Sequence, residues 1–150
     1  MRPVLIFCVF LLSVFSGTAQ SNAPVRWQFD WEKGSEGLIQ VKAQASIEAG
    51  WYVYSQHLNG EGPIPTQLTI DPTDGIKEIG EPTENGDRVE GYDEIFGMDI
   101  VKFKNTVTFS QEIRVTKEAP EVIKGYVLFM CCNDEQCLPP NEVPFSLSLR

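Results

Sequence analysis

Apolar residues recur along this chain with a period of two: Ile39, Val41, Ala43, Ala45 and Ile47; Val101 and Phe103; Val107 and Phe109; Ile113 and Val115; and Val143, Phe145, Leu147 and Leu149. Side chains of an extended strand point alternately to opposite faces, so each run describes a strand with one buried face. The intervening segments are dense in turn formers: Glu48-Ala-Gly50, Asn59-Gly-Glu-Gly-Pro63, Asp71-Pro-Thr-Asp-Gly75, Gly80-Glu-Pro-Thr-Glu-Asn-Gly86, Glu118-Ala-Pro120 and Pro139-Pro140. Glycine, proline and aspartate break strands for separate physical reasons, and together they predict chain reversals. No segment carries a helical stripe and no internal repeat is visible. The pattern confines the chain to short strands joined by turns.

Such a pattern predicts an all-β fold, an immunoglobulin-like β-sandwich, in a single domain covering residues 20–150. The stretch Tyr126-Val-Leu-Phe-Met-Cys-Cys132 is apolar on both faces, which predicts one central strand whose end carries the cysteines out of the core. Residues 1–19 read as a cleavable export signal: Arg2, an apolar run from Val4 to Phe15, then Gly17, Thr18 and Ala19. No later stretch approaches the roughly 18 to 20 apolar residues of a spanning helix, so no membrane span is expected after cleavage. The chain holds 12 basic and 21 acidic residues, and loss of Arg2 with the signal leaves a net charge of −10. Phosphate backbones are bound by Lys and Arg, so no nucleic-acid partner is expected.

Cleavage also removes Cys8 and leaves Cys131, Cys132 and Cys137 within seven positions. An odd number so tightly clustered makes a poor staple, because a loop of a few residues closes little chain entropy. Cys132 and Cys137 flank the polar segment Asn133–Gln136. If Asp134 and Glu135 form a two-residue turn, the two cysteines oppose each other at a separation a disulfide tolerates, roughly 4.4–6.8 Å between Cα atoms. Cys131 then points to the opposite face. A disulfide across so short a hairpin, where strained or exposed, is easily reduced, which favours exchange. Asp134 and Glu135 are expected to oppose ionisation of a free thiol nearby. Two other readings start from the same residues: a structural disulfide with one buried thiol, and a copper or zinc site of the three cysteines with His57, Met98 or Met130.

The residues that carry a resemblance are Cys-Asn-Asp-Glu-Gln-Cys-Leu-Pro-Pro over 132–140, Gly50-Trp-Tyr-Val-Tyr54, and Tyr92-Asp-Glu-Ile-Phe-Gly97. They resemble the N-terminal periplasmic domain of the DsbD-type thiol:disulfide interchange proteins, the disulfide bond corrector family, over nearly all of the mature chain. The resemblance implies an immunoglobulin-like fold whose hairpin cysteines cycle between dithiol and disulfide. It also implies electrons arriving from a membrane reductase through a thioredoxin-like domain, and passing to periplasmic isomerases or to the thioredoxins of cytochrome c maturation. Carried over residue by residue, Cys132 and Cys137 are the redox pair. The enterobacterial form has one more residue between its cysteines, a spacing that Cys131 and Cys137 match, so Cys131 stands as the alternative partner. Phe96, or else Ile95, becomes the side chain that caps the pair; Asp93 and Glu94 become the acids beside it; Tyr52 and Tyr54 line the site.

The leading expectation is therefore a periplasmic carrier of reducing equivalents, a thiol:disulfide oxidoreductase of the protein-disulfide reductase type that needs no cofactor or metal. The chain carries neither a multi-span membrane region nor a thioredoxin-like domain with Cys-x-x-Cys, so it is expected to rely on partner proteins. The alternative is an immunoglobulin-like binding module whose disulfide stiffens a recognition loop. A hydrolase is disfavoured, since His57 is the single histidine and the acid pairs Asp93-Glu94 and Asp134-Glu135 are adjacent, pointing different ways on extended chain.

Overall fold

The computed structural model describes residues 23–58, 61–116 and 119–150. The expected export signal over 1–19, with Cys8, lies outside them. Nine strands account for most of the described chain: β1 (Val25–Lys33), β2 (Leu38–Ile47), β3 (Tyr52–Tyr54), β4 (Gln67–Ile70), β5 (Ile76–Asp93), β6 (Met98–Val115), β7 (Val122–Phe129), β8 (Cys131–Cys132) and β9 (Asn141–Ser148). One sheet runs β1-β2-β6-β3-β8, with β5 paired along β6, and the other runs β4-β7-β9. All pairings are antiparallel.

The alternating residues supply the layer between the sheets. Ala43, Ala45, Val107 and Phe109 of the larger sheet meet Val127 and Phe129 of the smaller one, and Val53, Phe103 and Cys131 close the same cluster. A second cluster joins Val41 and Ile113 to Ile70, Ile123 and Phe145. Facing layers of this kind make the immunoglobulin-like sandwich expected from the sequence.

Three local expectations need correction. Gly80–Gly86 does not separate two strands; it lies inside the 18-residue β5. The turn formers are absorbed there by a register shift between Ile79 and Thr83, with Gly80 at φ +68°. Pro82 is tolerated because β5 pairs only with β6 and leaves its other edge open. The runs around Val101, Val107 and Ile113 likewise belong to one strand, β6, which pairs with β3 through 102–103 and with β2 through 106–114. Asn105, at φ +56°, lies between those two stretches, at a second shift in the β5–β6 register.

The third correction concerns the cysteines. The apolar stretch 126–132 is two strands: β7 is central in the small sheet, and after Met130 the chain crosses to the large sheet, where β8 pairs with β3. Both-face apolarity here records a strand that changes layers, and the cysteines stay buried, Cys131 at 4% and Cys132 at 1% exposure.

Candidate active site

The hairpin after β8 is the tight turn anticipated from its sequence. Asn133 N donates to Gln136 O and Leu138 N donates to Cys131 O, both at 2.9 Å, which leaves Asp134 and Glu135 as the two turn residues. The Asn133 side chain fixes the turn, its Oδ1 accepting from the N–H groups of Glu135 (2.9 Å) and Gln136 (2.8 Å). Between those backbone bonds Cys132 and Cys137 face each other as an isolated bridge, and a disulfide joins them with a Cα separation of 4.0 Å. This lies below the expected range because directly opposed residues without mutual backbone bonds are where antiparallel strands come closest.

Strand register then sorts the neighbours by face. Tyr52 pairs with Cys132 and Tyr54 with Lys102, so these four side chains share one face of the large sheet. Val53 pairs with both Phe103 and Cys131, which share the inner face. Adjacent cysteines are thereby sent to different environments: Cys131 into the core between the sheets, and Cys132 into a small outer cluster with Tyr54, Ile100 and Met130.

A cap covers that outer cluster. Strands β5 and β6 are joined at residues 94–97, where Gly97 at φ +66° donates from its N–H to Asp93 O at 2.8 Å. Asp93, 5% exposed, organises the loop from below: Oδ1 accepts from Ile95 N (3.0 Å) and Phe96 N (3.4 Å), and Oδ2 accepts from Lys102 Nζ at 2.7 Å. The Lys102 ammonium also sits 4.3 Å from the Tyr52 ring centroid. Phe96 turns inward, packing edge-on against Tyr54 with centroids 5.8 Å apart, in the cluster that holds Cys132 and Cys137. Ile95 points out and is 48% exposed. Of the two cap candidates, Phe96 is the one in the cluster with Cys132 and Cys137.

Between cap and hairpin lies an open cleft of about 290 Å³, lined by Tyr52, Tyr54, Tyr92, Asp93, Glu94, Ile95, Lys102, Cys132, Asn133 and Asp134. All the residues proposed for the site line it except Phe96, Cys137 and Cys131. Phe96 and Cys137 belong to the adjoining cluster, and Cys131 faces away from it. Sequence reading missed Lys102, whose role follows from its register beside Tyr54; the alternation that gives Val101 and Phe103 carries no hint of it. Asn133 was missed as well, although an asparagine opening a tight turn is a readable signal. His57 is exposed and lies away from the cleft, in a shallow cavity with Met98 and Glu90.

Burial decides the chemistry of the groups on each face. Desolvation pushes the Cys131 thiol up to about 11, so it stays protonated and inert near neutral pH. That cause is burial and not the acids of the turn. Desolvation raises Tyr54 further above its ordinary value, with help from the negative charge of Asp93 and from Cys131, so its hydroxyl remains a donor. The hydroxyl is buried and has no hydrogen-bond partner among the described residues.

The model of one family, "Thiol:disulfide interchange protein DsbD, N-terminal", matches residues 19–149. The chain belongs to this family. Solved structures agree on the fold. The reduced DsbD N-terminal domain of Neisseria meningitidis is 20% identical, over 81% of this chain and 84% of that one, with a TM-score of 0.53. The complex between the DsbD N-terminal and PilB N-terminal domains of the same organism matches at 17% identity over 80% of each chain, TM-score 0.52. The N-terminal periplasmic domain of ScsB from Proteus mirabilis matches at 14% identity and TM-score 0.62, over 85% of this chain and 47% of that one. Among curated protein sequences none matches this chain significantly. Within the DsbD N-terminal family, a cysteine pair joined across a two-residue hairpin and sheltered by a cap is an arrangement suited to thiol–disulfide interchange.

Proposed function

We propose that this chain is an extracytoplasmic thiol–disulfide carrier. Its Cys132–Cys137 disulfide accepts two electrons from one thioredoxin-like partner and passes them to another. The observation that carries the reading is the placement of that disulfide, held in a tight hairpin beside an open cleft and in one cluster with Phe96. A structural staple closing only the loop between residues 132 and 137 adds little stability.

Exposure supports a division of roles between the two cysteines. Cys137 is half-buried whereas Cys132 is 1% exposed, so an incoming partner thiolate attacks Cys137 Sγ. The S–S bond breaks, Cys132 Sγ leaves with the electron pair as a thiolate, and a mixed disulfide joins partner and Cys137. The partner's second thiolate then attacks its own sulfur in that mixed disulfide, releasing Cys137 as a thiolate and leaving the partner oxidised. Reoxidation by the next partner runs the same steps backwards. Asp93 holds the cap, Phe96 shields the sulfurs until a partner displaces it, and Tyr52, Tyr54, Glu94 and Ile95 shape the opening. Residues 1–19 serve as the export signal and the domain works in the periplasm, as the ScsB domain does by its description. The Neisseria complex with PilB supports a docking role for this fold.

The test is the potential and connectivity of the cysteines in the mature protein, equilibrated with glutathione or dithiothreitol, alkylated and mapped by mass spectrometry. A Cys132–Cys137 bond poised at roughly −180 to −270 mV is expected for a carrier. A bond resisting reduction below about −300 mV would return the domain to a binding module with a structural disulfide.

A further inference from the structure

The nucleophile that must reach Cys137, bonded to the Cys132 that lines this cleft, is a thiolate, an anion. The cleft meets it with negative charge. Glu94 from the cap and Asp134 from the hairpin line the opening and are exposed, and Glu135 follows at the hairpin tip. Lys102, the one cation among the lining residues, is already engaged by Asp93 at 2.7 Å and by the Tyr52 ring. The whole chain carries a net charge of −9, so no distant excess of positive charge offsets the rim. Two of the four large apolar side chains exposed among the described residues, Tyr92 at 68% and Ile95 at 48%, line the same opening. Exposed apolar side chains ringed by charge are the make-up of a protein-contact surface.

We propose that Glu94, Asp134 and Glu135 form a charge filter at the disulfide. They repel free anionic thiols and admit a protein thiolate that brings its own Lys or Arg residues. The inference rests on the exchange reading above and names the chemistry of the partner: a reactive cysteine within a basic ring, centred on Tyr92 and Ile95. The partner's cations then act twice. They lower the pKa of its own cysteine and so supply the thiolate, and they neutralise the rim as it docks.

Small thiols of different charge probe the filter directly, since all reduce the disulfide by the same two displacements, two thiols giving up two electrons and becoming one disulfide. The mature protein is reacted with glutathione (anionic), 2-mercaptoethanol (neutral) and cysteamine (cationic) at one pH. Each rate is divided by that thiol's rate on an uncharged small disulfide. At low salt the normalised cysteamine rate is expected to exceed that of glutathione by about tenfold or more, the lower end of electrostatic focusing in clefts. The ratio should fall towards one at about 0.5 M salt, where screening is nearly complete over this distance. A rim variant, Glu94→Gln with Asp134→Asn and Glu135→Gln, should abolish the discrimination. A control removing three exposed acids remote from the cleft, Glu36→Gln with Asp74→Asn and Glu78→Gln, should keep it. A ratio near one in the unmodified protein, or a ratio unaltered in the rim variant, overturns the filter while leaving the carrier intact. Failure of dithiothreitol to reduce the bond at all overturns both.

Discussion

Cys131 and Cys132 are neighbours in β8 with opposite surroundings. On the inner face, Cys131 packs among Val53, Phe103, Val127 and Phe129, its thiol desolvated and protonated. On the outer face, Cys132 is joined to Cys137 next to a cleft with a partly buried ion pair and a tyrosine hydroxyl that has no hydrogen-bond partner among the described residues. Both residues are buried, so burial alone does not separate the free thiol from the disulfide-bonded cysteine. The difference is what covers each. Over Cys131 lies the second sheet, which cannot lift without unfolding; over Cys132 lies a four-residue turn hung from one aspartate.

Serine substitutions at each cysteine separate the two faces most strongly. Cys137→Ser is expected to eliminate reversible disulfide formation entirely, read by thiol trapping, whereas Cys131→Ser should retain it. The cost of Cys131→Ser is instead stability, about 1–3 kcal/mol in urea unfolding, for a hydroxyl placed in an apolar core. Loss of exchange in Cys131→Ser would make Cys131 the functional partner after all.

Removing the cover probes the outer face next. Phe96→Ala should raise the rate at which a small neutral thiol reduces the disulfide by about tenfold, equivalent to ~1.4 kcal/mol of cap closure. An unchanged rate would show that Phe96 packs against Tyr54 without guarding the sulfurs.

Asp93→Ala removes the acceptor of two cap N–H groups and the partner of Lys102, and a destabilisation of about 2 kcal/mol is expected. Asp93→Asn, which keeps a carbonyl oxygen for the N–H groups, should lose about half as much. Equal losses in the two variants would locate the effect in the ion pair alone.

The last effect is on alkaline stability. Burial raises Cys131 from 9.0 to about 11, and it raises Tyr54 as well. The folded chain keeps these protons while the unfolded chain releases them. The Cys131 contribution is therefore full below about pH 9 and is lost as pH rises from 9 through 11, whereas that of Tyr54 is full below about pH 10 and is lost only above it. A series of unfolding curves across that range should show stability falling, with a shallower decline in Cys131→Ala. Identical slopes would mean that the core thiol ionises as freely as an exposed one.

Much of this was legible in sequence because it is local. The alternation in β2 and β9 predicts their buried faces residue by residue. The hairpin can be read from Asn-Asp-Glu-Gln between two cysteines, since a two-residue turn leaves one register available. The reading failed where a long-range partner decides. Gly80–Gly86 carries every mark of a turn, yet β6 supplies an 18-residue template along which β5 continues past a bulge. The apolar stretch 126–132 gives no sign that it changes sheets at Met130. Lys102 is one of many exposed-looking lysines until β3 places it against Tyr54 and β5 brings Asp93 within 2.7 Å.

The all-β class, the family resemblance and a hairpin that sets Cys137 against Cys132 or Cys131 could all be read from the chain alone, because period-two patterning and a tight turn depend only on residues near in sequence. It took the long-range packing to join Cys137 to Cys132, to put Phe96 rather than Ile95 in their cluster, to set Lys102 against Asp93, and to desolvate Cys131. Each of these depends on which face a strand presents to a distant neighbour, and that is set by sheet register, which residues far apart in sequence establish together.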